Sequence, residues 1–152
     1  MTRLILMIGL PGSGKSYLAA QLKESYPEYC LISSDQIRAE LFGSDAEQGE
    51  WSKVWHEIQS QMRAAVNQSP TTIYDATNFK RAYRQEVIQF AREIGYQNIL
   101  GLWLDTPLEI CLTRNQERSR QVETEIITKM SDHLRDTPPN SVEGFDELMT
   151  VG

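Results

Sequence analysis

The sequence has little of what builds disulfide-stapled, zinc-bound or membrane-spanning folds. Only two cysteines occur among 152 residues, Cys30 and Cys111, far apart and with no cysteine or histidine at metal-ligand spacing. Neither a disulfide framework nor a zinc site is indicated, and both are expected to be reduced residues of the core. No apolar run reaches the ~18 residues of a membrane helix. The first run, Leu4 to Ile8, follows only Met1-Thr2-Arg3 and gives way at once to Gly9-Leu10-Pro11-Gly12. That is too short for a secretion signal, so the cytoplasm is the expected compartment and no membrane partner is expected. Internal repeats, low-complexity stretches and Gly/Ser linkers are missing too, so residues 1–152 are expected to form one domain. Excess positive charge is also absent: 15 Lys and Arg stand against 21 Asp and Glu, a net charge of −6. Four of those acids, Asp136, Glu143, Asp146 and Glu147, fall in an acidic C-terminal tail (136–152) without a single base, which leaves −2 on the rest. An anion site must therefore be a local cluster of bases rather than a general field.

What is present is an alternation of strand and helix patterns, which implies an α/β fold with a parallel sheet. Leu4 to Ile8 is apolar throughout, as a strand covered on both faces should be. Tyr29 to Ser33, Thr71 to Tyr74 and Ile99 to Leu104 read as three more short strands. Each of these ends near an acid, Asp35, Asp75 or Asp105, on the side of the sheet where α/β proteins place their ligand crevice. Trp51, Val54, Trp55, Ile58, Met62, Ala65 and Val66 recur at helical spacing and predict a helix with an apolar, core-facing side. Thr106-Pro107-Leu108-Glu109 predicts a helix start with Thr106 as the cap and Pro107 in the first helical position. Ile126, Ile127, Met130 and Leu134 predict a later helix that Pro138-Pro139 cannot continue.

Directly after the first strand stands Gly9-Leu10-Pro11-Gly12-Ser13-Gly14-Lys15-Ser16, followed by Leu18, Ala19 and Leu22 at helical spacing. This is the phosphate-loop pattern G-x-x-x-x-G-K-S in its strand–loop–helix context. Backbone amides of such a loop turn inward around phosphate oxygens, and the helix N-terminus adds its positive dipole end. Gly9, Pro11, Gly12, Ser13, Gly14, Lys15, Ser16 and Tyr17 are thus the candidate nucleotide-binding residues. Lys15 is placed to reach the β- and γ-phosphates of ATP, and Ser16 to bind Mg²⁺. Neither the N-K-x-D string of GTPases nor the L-S-G-G-Q string of transporter ATPases occurs.

Beyond the second strand, Ser33-Ser34-Asp35-Gln36-Ile37-Arg38 sets an acid and a base one helical turn apart. Two readings fit that spacing. Asp35 is a general base for an attacking hydroxyl with Arg38 holding a phosphate on the acceptor, or Asp35 caps a helix and Arg38 is solvated. Arg114 and Arg118, at i and i+4, are expected on one helical face, and a solvated basic helix end fits them as well. Lys80, Arg81 and Arg84 form a second basic cluster, either guiding an anionic acceptor or decorating a charged surface. His56 and His133 stand alone and are given no role, while Trp51, Trp55 and Trp103 are expected to pack in the core.

Five motifs in order, G-L-P-G-S-G-K-S at Gly9 to Ser16, S-S-D-Q-I-R at Ser33 to Arg38, Y-D-A-T-N at Tyr74 to Asn78, R-N-Q-E-R-S-R at Arg114 to Arg120 and E-G-F-D-E-L at Glu143 to Leu148, give a resemblance over nearly the whole chain. The sequence resembles the small P-loop kinases, AAA-type ATP-binding enzymes that include the 5′-kinase domain of phage polynucleotide kinase and, more distantly, the zeta toxins. The resemblance implies a three-layer P-loop kinase fold, a short parallel sheet flanked by helices, with a helical lid at about 114–124. It also implies an ATP- and Mg²⁺-dependent transfer of the γ-phosphoryl group to a hydroxyl. By this likeness Lys15 and Asp35 are catalytic, Arg38, Thr77 and Asn78 meet the acceptor, Arg114 and Arg118 are lid arginines that also bind ATP, and Arg120 belongs to the lid loop. The acid of the third motif precedes the Thr-Asn pair by two residues rather than standing beside it. Asp75 is accordingly assigned with Ser16 to the metal, with an acceptor contact or a strand-ending structural role left open. A nucleic-acid 5′-hydroxyl is the preferred acceptor; a nucleoside, sugar or antibiotic, and an acceptor-free regulatory ATP-binding module, are the alternatives.

Overall fold

Hydrophobic alternation along one central strand sets the layering of the molecule, which a computed structural model describes for residues 1–43, 50–119 and 121–152. Strand β1 (Arg3–Ile8) sends Leu4, Leu6 and Ile8 to one face of the sheet and Ile5 and Met7 to the other, the period-two consequence of a pleated backbone. β1 pairs in parallel with β3 (Thr71–Asp75) on one side and β4 (Asn98–Leu104) on the other. β2 (Cys30–Ser33) lies outside β3 and β5 (Glu147–Val151) outside β4, giving the order β2-β3-β1-β4-β5 with every pairing parallel. The chain runs outward from β1 to one edge and then crosses to the other, so the order reverses beside the C-terminal end of β1, where open α/β sheets form their crevice.

Helix α1 (Lys15–Ser25) covers the Ile5/Met7 face, with Ala19 packed on Ile73, Leu100 and Leu102. The opposite face carries the larger core under α2 (Ser34–Phe42), α3 (Trp51–Gln68), α4 (Arg81–Ile94), α5 (Leu108–Gln116) and α6 (Thr124–Asp136). The apolar stripe expected on α3 is buried at Val54, Ile58, Met62, Ala65 and Val66, while Trp51 and Trp55 are only partly covered. Cys111 is buried and Cys30 half-buried, both as free thiols that burial pushes above the usual cysteine range. Among the described residues no helix is long and apolar enough to cross a membrane.

Two local expectations are corrected. Pro107, not Thr106, is the N-terminal boundary residue of α5; the Thr106 hydroxyl instead donates to the Ser13 carbonyl at 2.9 Å and ties this turn to the phosphate loop. The segment taken as an acidic tail is built into the fold: Ser141–Glu143 forms a short 3₁₀ turn, Phe145 is in the core and β5 completes the sheet. Asp146 accepts from the Ile99 amide and from Arg92, both at 2.7 Å, which holds its carboxyl below the usual range. Phe145 and Leu148 fill the space over Gly101, where an added methyl carbon would come within 2.7 Å of the Phe145 ring. Gly101→Ala is therefore expected to cost about 1–3 kcal/mol by overpacking, read in thermal denaturation as roughly 2–4 °C per kcal/mol.

Candidate active site

The phosphate loop turns on glycines whose surroundings or positive φ disfavour a side chain. Gly12 sits at φ 86° with its α-carbon facing the Cys111 carbonyl, which an added methyl carbon would approach to 2.6 Å. Gly14, at φ 99°, is the residue before α1, and no side chain caps that helix, so its first-turn amides face the space where a phosphate would lie. Two loop amides are committed elsewhere: Gly9 donates to Thr77 and Ser13 to Leu10, both at 3.0 Å. Gly9 and Ser13 thus shape the loop from behind, and Pro11, Gly12, Gly14, Lys15, Ser16 and Tyr17 line the cavity in front of it. The Tyr17 ring is exposed and its hydroxyl accepts from Gln21.

That cavity, about 670 Å³, also contains Asp35, Arg38, Asp75, Thr77, Asn78, Arg114 and Arg118 on its walls, so one space joins most of the candidate residues. Lys15 is buried in it, its ammonium 3.4 Å from the Leu10 carbonyl. Burial pushes its pKa down, and the Asp75 and Asp35 carboxylates partly offset this. Ser16 donates to Asp75 Oδ2 at 2.7 Å, which joins the start of α1 to the end of β3. A hydroxyl and a carboxylate beside a phosphate cradle form the kind of oxygen pair that Mg²⁺ takes, because it completes its shell with waters and substrate phosphates rather than an all-protein cage. No cluster of three or more His, Cys, Asp or Glu ligands occurs among the described residues.

Asp35 is not the cap of α2; Ser33 is, its hydroxyl accepting from the Gln36 amide at 3.2 Å. Asp35 lies in the first turn, where Arg38 Nη1 donates to its Oδ1 at 3.3 Å. Arg38 in turn stacks over Trp51 at 5.9 Å, so it is no solvated surface base. Thr77 and Asn78 both line the cavity. Asn78, buried and at φ 48°, donates from its side-chain nitrogen to the Met7 carbonyl at 2.7 Å, clamping the loop after β3 onto β1. Asn78 thus shapes the wall as much as it lines it.

Arg114 and Arg118, the two arginines expected in a lid, do not share a helical face, because α5 ends at Gln116 and Arg118 stands in the turn beyond. Arg114 Nη1 donates to the Gly12 carbonyl at 3.2 Å, and the Arg118 charge reaches Lys15. Asn115 holds the following loop through two bonds to Val122, at 2.7 and 3.0 Å. Arg120 lies outside the described residues. Asp105 does not line the cavity; its amide donates to Val151.

Arg84 fits neither reading of the second basic cluster. It is fully buried, with Nε and Nη2 on Glu143 at 2.7 and 2.8 Å, Nη1 on the Asn78 carbonyl and Nη2 on the Thr137 carbonyl. The cavity also has an aromatic wall that no sequence pattern announced. Trp51, Tyr83, Phe79 and His133 line the cavity, with successive ring centroids 5.6, 5.6 and 5.4 Å apart, and the Lys80 ammonium lies 5.4 Å from the Tyr83 ring. No local signal marks this wall, because its members come from three helices and a loop.

A glycine-lined phosphate cradle at the switch point of an all-parallel sheet, with lysine and Ser–Asp pair in place, defines a P-loop nucleotide-binding domain. The chain belongs to the AAA domain family, whose pattern matches residues 4–137. It is 28% identical over 148 residues to an L-seryl-tRNA(Sec) kinase of Methanococcus maripaludis, covering 89% of this chain and 53% of that protein. It is 26% identical over 116 residues to the mouse 6-phosphofructo-2-kinase/fructose-2,6-bisphosphatase 1, covering 62% of this chain and 23% of that protein. The chain therefore spans about half or less of these curated relatives. Among solved structures it superposes on a chain of the Pnkp1/Rnl/Hen1 RNA repair complex with TM-score 0.78, at 22% identity over 90% of this chain and 45% of that one. A fungal RNA kinase gives TM-score 0.68 at 14% identity, covering 99% of this chain and 74% of that one. A gluconokinase from Sinorhizobium meliloti 1021 gives 0.63 at 18% identity, covering 97% and 80%. At such identities these likenesses establish the fold.

Proposed function

We propose that the protein is an ATP- and Mg²⁺-dependent kinase that transfers the γ-phosphoryl group to a hydroxyl, and that the hydroxyl is the 5′ end of a nucleic acid. The carrying observation is that the Asp35 carboxylate lines the same cavity as the buried P-loop lysine. Lys15 and the first-turn amides of α1 bind the β- and γ-phosphates. Asp35 accepts the proton of the acceptor hydroxyl as its oxygen bonds to the γ-phosphorus, the bond from that phosphorus to the β–γ bridging oxygen breaks, and ADP leaves. Arg114 and Arg118 bind the charge carried by the transferring group. Ser16 and Asp75 hold Mg²⁺, which when bound neutralises charge on the phosphate oxygens.

The acceptor assignment is supported by the far wall. Aromatic rings interleaved with Arg38 and Lys80 suit a flat base carried on a phosphate backbone, since stacking and cation contacts together are how single-stranded ends are gripped. A net charge of −6 favours a short or single-stranded end over a long duplex. Two similar proteins, an L-seryl-tRNA(Sec) kinase and a fungal RNA kinase, carry RNA in their names, which supports an RNA-bearing acceptor without specifying which hydroxyl reacts. The test is transfer of labelled γ-phosphate from ATP to a 5′-hydroxyl oligonucleotide, with a nucleoside and gluconate as parallel acceptors. Labelled oligonucleotide is the expected product. Labelling of the small acceptors alone moves the substrate class, and ATP turnover that ignores every acceptor and survives Asp35→Asn overturns the kinase reading in favour of an ATP-binding module.

A further inference from the structure

Among the described residues three buried side-chain polar atoms have no hydrogen-bond partner: Ser13 Oγ, Arg38 Nε and the Tyr74 hydroxyl. Ser13 lies behind the phosphate loop, but Arg38 and Tyr74 both line the cavity. Native folds pair nearly all such atoms, so two orphans on one cavity mark a place where something else supplies the partner.

Tyr74 comes from β3, one residue before Asp75. Strand alternation therefore turns its ring away from the Ser16–Asp75 contact and into the core beneath α2 and α3. The ring is fully buried. Burial also holds the phenol far above its ordinary titration range, with the nearby Arg38 guanidinium pulling the other way, so at neutral pH it is an O–H donor. Arg38 spends Nη1 on Asp35 and its face on Trp51, which leaves Nε as a second donor without an acceptor. A single water accepts from both but then brings two hydrogens of its own that need acceptors. An oxyanion accepts from both and has nothing left to donate. The acids that face this place are Asp35, held by Arg38, and Asp75 and Glu86, whose charges reach the phenol; the first two are offset by Arg38 and Lys15.

We propose that the Tyr74 hydroxyl is a further acceptor-binding group: with Arg38 Nε it seats a phosphate oxyanion carried by the acceptor, beside the hydroxyl that Asp35 deprotonates. This rests on the kinase reading above and deepens it, since it adds a residue of β3 to the acceptor phosphate contact expected of Arg38.

The probe is inorganic phosphate titrated calorimetrically into the protein with β,γ-imido-ATP and Mg²⁺ filling the phosphate loop. Wild type is expected to bind it and Tyr74→Phe to bind it about tenfold to a hundredfold more weakly, the value of a hydrogen bond to a charged group. Arg38→Gln, measured as a second variant, is expected to weaken binding as well. Tyr74→Phe is further expected to melt at or above the wild-type temperature, because it deletes an unpaired buried hydroxyl and keeps the ring. In transfer assays its KM for a 5′-hydroxyl oligonucleotide should rise by a similar factor with kcat much less affected. Equal phosphate affinities, no phosphate binding by wild type, or a lowered melting temperature in Tyr74→Phe would each overturn the seat. Tyr74-dependent phosphate binding in a protein that labels no acceptor would instead leave the seat standing and overturn the kinase reading.

Discussion

Asp35→Asn is expected to cut kcat for phosphoryl transfer by about 10²- to 10⁴-fold while nucleotide affinity changes little. The amide keeps the shape of the carboxylate and its place in the first turn of α2, whose cap is Ser33, so the helix start is undisturbed. What is lost is the group proposed to take the proton from the attacking oxygen. The proposed nucleotide and metal contacts belong to other elements: Lys15 and Ser16 to α1, and Asp75 to β3. The substitution also removes the charge from the 3.3 Å contact with Arg38, so the acceptor KM is expected to move along with kcat. Steady-state transfer paired with calorimetric titration of a non-hydrolysable ATP analogue separates these effects. A wild-type kcat, or a loss of nucleotide affinity as large as the loss of rate, contradicts the assignment of Asp35 as base. Lys15→Ala makes the contrast, because removing the buried ammonium should damage nucleotide affinity and turnover together.

The parts of this site that were legible in the sequence are those whose chemistry is written within a few residues. The phosphate loop needs glycines at fixed spacing because the backbone itself binds, and Gly12 against the Cys111 carbonyl shows how little room a side chain would have. Asp35 and Arg38 are three residues apart on one helix, so their contact follows from helical geometry. β1 and β4 were readable for a related reason, since burial on both faces leaves long apolar runs, whereas β2 and β3 are shorter and carry Ser33, Thr71, Thr72 and Asp75. β5 was not, because it is an edge strand with only Leu148 and Met149 as large apolar residues before Val151, and most of its side chains are exposed. The aromatic wall and Tyr74 were hidden for another reason. Their proximity is created by the crossing of α3, α4 and α6 over the sheet, and no spacing along the chain encodes it. Arg84 is the sharpest case: beside Lys80 and Arg81 it looks like a surface charge, and only the return of residue 143 from the other end of the chain reveals a buried ion pair.

That pair carries the second large effect. Glu143→Ala is expected to destabilise the fold by about 3–5 kcal/mol, the cost of leaving one member of a buried ion pair without the other. Both Arg84 and the Glu143 side chain are sealed from solvent, and Arg81 Nε adds a third contact to the carboxylate at 3.1 Å. For a domain of this size that is a fall of roughly 6–20 °C in Tm, and a large share of the 5–15 kcal/mol by which such domains are stable. The damage should reach the site through a defined route. Arg84 Nη1 holds the Asn78 carbonyl at 3.0 Å, Asn78 is clamped to Met7, and the neighbouring Thr77 carbonyl accepts from the Gly9 amide at the start of the phosphate loop. Hydrogen exchange at the Gly9 amide should therefore accelerate in Glu143→Ala by more than amides of β2, which the network does not touch. Glu143→Gln keeps two oxygen- and nitrogen-bearing positions in place of the carboxylate but not its charge, and is expected to fall between wild type and alanine. Arg84→Met combined with Glu143→Leu removes both charges and should recover part of the loss, though not all, because the Asn78 and Thr137 carbonyls then lose their donor. Thermal denaturation of the three variants, with exchange read residue by residue, checks the ordering. A double variant no more stable than Glu143→Ala would mean that the arginine's bonds to those carbonyls, rather than its charge pairing, dominate the energetics of the C-terminal closure.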